Sequence, residues 1–194
     1  MVGPFRAGCA RLRAPLLAVA VSLWLAGCGV NAIPTSEEQA KAAWSEVLNQ
    51  YQRRSDLIPN LVETVKGYAT QERDVLTSVV EARAKATAVT VDASTITDPA
   101  RFKQFQEAQA ELSRALGRLI AVSEAYPDLK SSQSFLTLQS QIEGTENRIA
   151  VARRDYIRAV QAYNTELRTF PGVIWANVLY RGNKPMETFT ISEQ

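Results

Sequence analysis

From Ser36 onward, apolar side chains return at alternating steps of three and four residues, the spacing of one helix face. A first stripe holds Ala40, Trp44, Val47 and Tyr51, with Leu48 widening it. A second holds Leu61, Val65, Tyr68, Glu72, Val75, Val79, Ala82, Ala86 and Val89; a third holds Phe102, Phe105, Gln109, Leu112, Leu116, Leu119 and Ser123. The fourth holds Phe135, Leu138, Ile142, Thr145, Ile149, Ala152, Tyr156, Ala159 and Tyr163. Between the first two stripes, Asp56-Leu57-Ile58-Pro59 reads as a break, because proline is expelled from helix interiors and Asp56 suits an N-cap. Thr35 and Glu38 have capping-box spacing, Asp98-Pro99 reads as an N-cap followed by an N1 proline, and Tyr126-Pro127 ends the third stripe. The expected fold is all-α: an antiparallel up-down four-helix bundle of long helices. The alternative is three long helices, the first kinked at Pro59.

Ahead of these stripes the chain has the layout of an export signal. Arg6, Arg11 and Arg13 precede an apolar run from Ala14 to Trp24, and Leu25-Ala26-Gly27-Cys28 closes it. That closing tetrad resembles the lipobox of bacterial lipoproteins, which implies lipidation of Cys28 and cleavage before it. The competing reading, an uncleaved span, needs about 20 apolar residues, and the run here is shorter. The expected organisation is a cleaved signal over 1–27, a lipidated tether over 28–35, the bundle over 36–169 and a tail over 170–194. The localisation expected is the bacterial envelope, on the extracytoplasmic or periplasmic side. Gly29 after the cysteine points to the outer membrane where the host has two.

Composition removes several chemistries. The 22 Lys plus Arg, less the three signal arginines, leave 19 cations against 20 acids, which speaks against a nucleic-acid surface. The chain has no histidine, so imidazole-based nucleophile systems and the usual metal ligands are absent. Cys9 leaves with the signal and Cys28 is capped, which leaves no thiol for redox work or zinc. No glycine-rich phosphate loop is present. The expectation is a non-enzyme without cofactor or metal, whose partners are the membrane and an unidentified envelope protein.

Several segments resemble LemA-type proteins. The longest is Arg53-Arg54-Ser55-Asp56-Leu57-Ile58-Pro59-Asn60-Leu61-Val62-Glu63-Thr64-Val65-Lys66-Gly67-Tyr68-Ala69. Others are Glu81-Ala82-Arg83-Ala84, Glu124-Ala125-Tyr126-Pro127-Asp128-Leu129-Lys130, Thr145-Glu146-Asn147-Arg148-Ile149-Ala150 and Phe170-Pro171-Gly172. The resemblance covers about residues 40 to 190. It implies an exported, membrane-attached helical bundle and supplies no catalytic residues. The chain departs from the family pattern at Gln71, where histidine is usual, and at Ile157. It departs also at its start, where many relatives resemble proteins with a transmembrane anchor.

Three candidate features follow. Turns at 56–60 and 126–131 would meet at the membrane-distal tip, gathering Arg53, Arg54, Asp56, Asn60, Tyr126, Asp128 and Lys130 as a partner-binding surface; equally, these residues only cap helices and close turns. Gly67, Gly117 and Gly144 are expected in one layer that makes room for the Trp44 indole. The tail offers Trp175, Tyr180, Arg181 and Lys184 as a membrane interface, or else forms a lid over the bundle end with Phe189 packing back. The function expected is that of an adaptor; the alternatives are a carboxylate-based envelope hydrolase and a peripheral membrane-surface module.

Overall fold

A computed structural model describes residues 29–92 and 94–189. The cleavage site and the lipidation expected at Cys28 lie outside these residues. The described chain is all-helical, with no strand among the described residues. Helix α1 spans Ala32–Lys66, α2 Arg73–Ala88, α3 Pro99–Val122, α4 Pro127–Lys130, α5 Gln133–Glu166 and α6 Gly172–Val178. Short 3-10 turns occupy Thr95–Thr97 and Ser123–Ala125.

Helices α1 and α5 are the long pair, each about 50 Å at 1.5 Å per residue. They run antiparallel, since Trp44 meets Tyr156 at 5.2 Å while Arg54 meets Glu146 at 2.6 Å. Helix α3 runs the same way as α1, because Trp44 touches Phe105 and Arg54 reaches Gln109 and Ser113. Helix α2 runs against α3: Glu72, which precedes α2, meets Tyr126, and Lys85 meets Glu111. Two apolar clusters result. One, toward the far end, includes Ile58, Leu61, Val65, Val79, Leu112, Leu119, Leu129 and Phe135. The other, toward residues 29 and 189 at the ends of the described chain, includes Ile33, Trp44, Val47, Phe102, Phe105, Tyr156, Met186 and Phe189.

The break expected at Pro59 is not there. Helix α1 passes through the proline without interruption. Lacking an N–H, Pro59 leaves the carbonyl of Ser55 without its usual helical donor. Arg83 of α2 fills that vacancy, donating from Nε to the Ser55 carbonyl at 3.0 Å. Neither the four-helix division at Asp56 nor a three-helix chain describes the result, because the real turn falls at 67–72. Tyr68 and Glu72, read as part of a stripe, therefore lie in that turn, and only 61 and 65 of the second stripe remain on α1.

Other local expectations divide. Asp98 caps α3 as read, its carboxylate accepting from the N–H groups of Ala100 and Arg101 at 2.9 and 3.2 Å. The capping box at Thr35 does not form, because α1 begins at Ala32 and Thr35 already sits in its first turn. The glycine layer fails too. Trp44 packs among Phe102, Phe105, Tyr156 and Phe189, whereas Gly67 ends α1 and a Cβ at Gly117 would meet nothing within 4 Å. Heights counted from a tip at Pro59 put Trp44 about two helical turns too close to the far end, since α1 continues to Lys66.

Candidate functional site

Between the two apolar clusters lies a polar layer built on Arg54. The helical step from Tyr51 through Arg54 to Ile58 points its guanidinium inward, and the residue is 1% exposed. One terminal nitrogen donates to Glu146 at 2.6 Å and Ser113 at 2.8 Å; the other donates to Gln109 Oε1 at 2.7 Å. The planar guanidinium carries five N–H donors in a fixed fork, so it suits several acceptors at once. The Tyr51 ring lies 5.0 Å from the guanidinium carbon, and burial pushes the Tyr51 phenol above its ordinary value. Thus α1, α3 and α5 are pinned together at one level. A polar groove of about 540 Å³ runs beside it, with Arg114, Arg153 and Glu146 among its walls. Among the described residues no three carboxylates or thiols gather to hold a metal ion.

The proposed tip comes apart into two places. Arg54 is buried in the shaft, and Arg53, Asp56 and Asn60 are exposed along α1, between about two and four turns below its end. The reason is again that α1 continues past Pro59. Tyr126, Asp128 and Lys130 do sit at the far end, beside the 67–72 turn. There the Tyr126 hydroxyl donates to Glu72 at 3.0 Å, which raises the phenol above its ordinary value, and Lys130 pairs with Glu124. Asp128 is exposed at the start of α4. Sequence reading missed the Arg54 layer. Its signal was Gln109, a polar member in the middle of the third apolar stripe.

At the opposite end the tail divides in two. Helix α6 follows Phe170-Pro171, a cis peptide bond, and starts at Gly172, where a Cβ would fall 2.1 Å from the Glu166 carbonyl oxygen. Trp175 and Tyr180 turn toward the body and are half-buried against the second cluster. Arg181 and Lys184 are exposed. Beyond them the chain runs back along α5: the Tyr163 hydroxyl donates to the Lys184 carbonyl, Asn164 exchanges two hydrogen bonds with Met186, and Tyr156 donates to the Glu187 carbonyl at 2.7 Å. Glu187 N–H in turn donates to the Ile96 carbonyl at 2.7 Å. Phe189 ends this strap within the Trp44 aromatic cluster, under the Arg153 guanidinium. Chain entry and tail lie together, for a Cβ at Gly29 would stand 3.0 Å from Pro171 and 3.4 Å from Trp175.

Fold and site together define an all-helical protein of long paired helices, pinned midway by a buried arginine, with the entry of its chain and its tail at one end. The chain belongs to the LemA family, whose profile matches residues 43–194. It is similar to "Magnetosome protein MamQ 1" and "MamQ 2" of Paramagnetospirillum magneticum, each 27% identical over 161 residues that cover 73% of this chain and 58% of the relative. "Protein LemA" of Metamycoplasma hominis is 24% identical over 147 residues, covering 76% of this chain and 61% of that protein. The chain thus spans about three-fifths of the length of the curated relatives it matches.

Proposed function

We propose that this protein is a lipid-anchored, non-catalytic adaptor of the bacterial envelope, held by an acylated Cys28 on the extracytoplasmic side and presenting its far end to another envelope protein. We read its body as an up-down four-helix bundle of α1, α2, α3 and α5, in keeping with the contact pairs above. What supports the adaptor reading is how the polar residues of the family-like segments are used. Arg54, Arg83 and Glu146 bond to other parts of the same chain, which stiffens a rod instead of preparing a reactive group. At the far end Asp128 and Lys130 remain exposed, on a platform fixed by the Tyr126–Glu72 bond. No described helix is long and apolar enough to cross a membrane.

Two measurements test this. Labelled palmitate should enter the wild-type chain and not Cys28→Ala, and the substitution should release the protein from membranes. A photo-crosslinking residue at Asp128 or Lys130 should capture an envelope protein that the same probe at Asn60, on the shaft, does not. Equal capture from tip and shaft rules out docking at the tip, and an unlabelled wild type rules out the lipid.

A further inference from the structure

Among the described residues, exposed large apolar side chains gather most densely along the chain at α6 and its two flanks. Of the eight large apolar residues that are exposed, Phe170, Ile174, Val178 and Leu179 lie within ten positions of one another, and Phe170 is 78% exposed. The other four, Tyr68, Val80, Leu136 and Val151, are scattered over the body. Ile174 and Val178, four residues apart, share one face of α6, while Phe170 stands just before the helix, across the cis bond to Pro171, and Leu179 just after it. The opposite face, with Trp175 and Ala176, packs on the protein core. Exposed apolar side chains clustered in this way mark an interaction site.

We infer that α6 rests on the lipid bilayer, with Phe170, Ile174, Val178 and Leu179 seated at the boundary between headgroups and acyl chains; the inference rests on the membrane attachment proposed above. Three observations select a lipid surface as the occupant. Residue 28 is followed by only Gly29, Val30 and Asn31 before α1 begins, a reach of about 10 Å. Gly29 lies against Pro171 and Trp175, so the chain emerges from the described body beside α6. Finally, Arg168, Arg181 and Lys184 are all exposed around α6, against one neighbouring carboxylate at its start, that of Glu166, which a Cβ at Gly172 would meet at 3.1 Å. The nearby Glu37 carboxylate is occupied by Asn183 and Lys41. Exposed apolar side chains with cations on either side of them in the chain match an anionic headgroup layer, into which such a surface sinks about 5–10 Å. The sequence pointed to this segment but to the wrong aromatic residues, since Trp175 and Tyr180 face the body.

The test uses the full chain in vesicles of phosphatidylethanolamine and phosphatidylglycerol, with a photo-crosslinking residue at 174 or 178 and, as controls, at the exposed body positions 80 or 151. Phospholipid adducts at 174 and 178 should exceed those at 80 and 151 by at least about tenfold, given burial to the depth expected of an interfacial helix. Equal adduct yields at all four positions, in a chain that stays with the vesicles, overturn this inference and leave the anchor standing. Adducts to protein in place of lipid at 174, in native membranes, overturn it in favour of a protein partner. A chain that leaves the vesicles altogether removes both readings.

Discussion

Arg54 spends both terminal nitrogens inside the protein, and this makes it the side chain whose loss should be felt most along the shaft. Arg54→Ala removes a large buried stem and leaves Gln109, only 7% exposed, without its donor. Cavity and unpaired amide together should cost about 2–5 kcal/mol in urea unfolding. Glu146 is 44% exposed, so its charge is partly screened, and Glu146→Gln keeps an acceptor in place. That substitution should cost about 1 kcal/mol. The reverse order would show that charge pairing, and not filling and hydrogen bonding, holds the layer. Gly172 is a second sensitive point. A methyl there overlaps a backbone oxygen, which no side-chain rotation relieves, so Gly172→Ala should destabilise by about 1–3 kcal/mol and loosen α6, read as faster proteolysis after Arg168. Of these two positions, Arg54 was legible in principle: 51, 54 and 58 continue one stripe at steps of three and four. Reading it as a cation at the end of a helix that stops at Asp56 concealed it. The crowding at Gly172 comes from a chain reversal that no local pattern encodes.

At the scale of helices, the partnership of Pro59 and Arg83 explains how a proline survives near the end of a long helix. The carbonyl freed by the proline becomes the seat for an arginine from α2, so the defect in one helix positions the next. A double-mutant cycle should expose this. In the native background Arg83→Ala should cost about 1–2 kcal/mol, the value of a charged hydrogen bond to a carbonyl that is then left unpaired. With Pro59→Ala in place, residue 59 supplies its own N–H to Ser55, and the same Arg83→Ala should cost several-fold less. A coupling below about 0.3 kcal/mol would mean that Arg83 acts elsewhere. Helix identity was well encoded, since stripes at 102–119 and 135–163 map onto α3 and α5 and the Asp98 cap marks the start of α3. The first boundary was misplaced because proline chemistry was weighed above register. The sequence 40, 44, 47, 51, 54, 58, 61, 65 alternates fours and threes straight across residue 59.

Across the whole molecule, a polar layer separates two apolar compartments, and the compartment nearer the ends of the described chain is closed by the strap at 184–189. The strap has no periodicity, and its hold is tertiary: backbone carbonyls meeting tyrosine hydroxyls, and Phe189 filling a ring of aromatics. Its course was therefore illegible in the sequence beyond the expectation that Phe189 packs back. Phe189→Ala should cost about 3–5 kcal/mol, a buried-aromatic truncation, and should raise the exposure of Trp44, read as a red shift of its fluorescence. Alkaline titration probes the same seam. Tyr156 and Tyr163 both donate to the strap, and burial, the main cause in each, lifts their phenols above the ordinary value of 10.0. A folded-state value raised above the unfolded one means that the protonated phenol favours the fold. Its contribution is therefore complete below pH 10.0 and drains away as pH climbs through the folded values. The denaturation midpoint of the native protein should fall steeply above that pH. In the variant combining Tyr156→Phe and Tyr163→Phe, stability should start lower for want of two hydrogen bonds and then decline less with pH. Parallel curves for the two proteins would show that the strap is not what alkali unlocks, and would place the sensitivity in Tyr51 and Tyr126 instead.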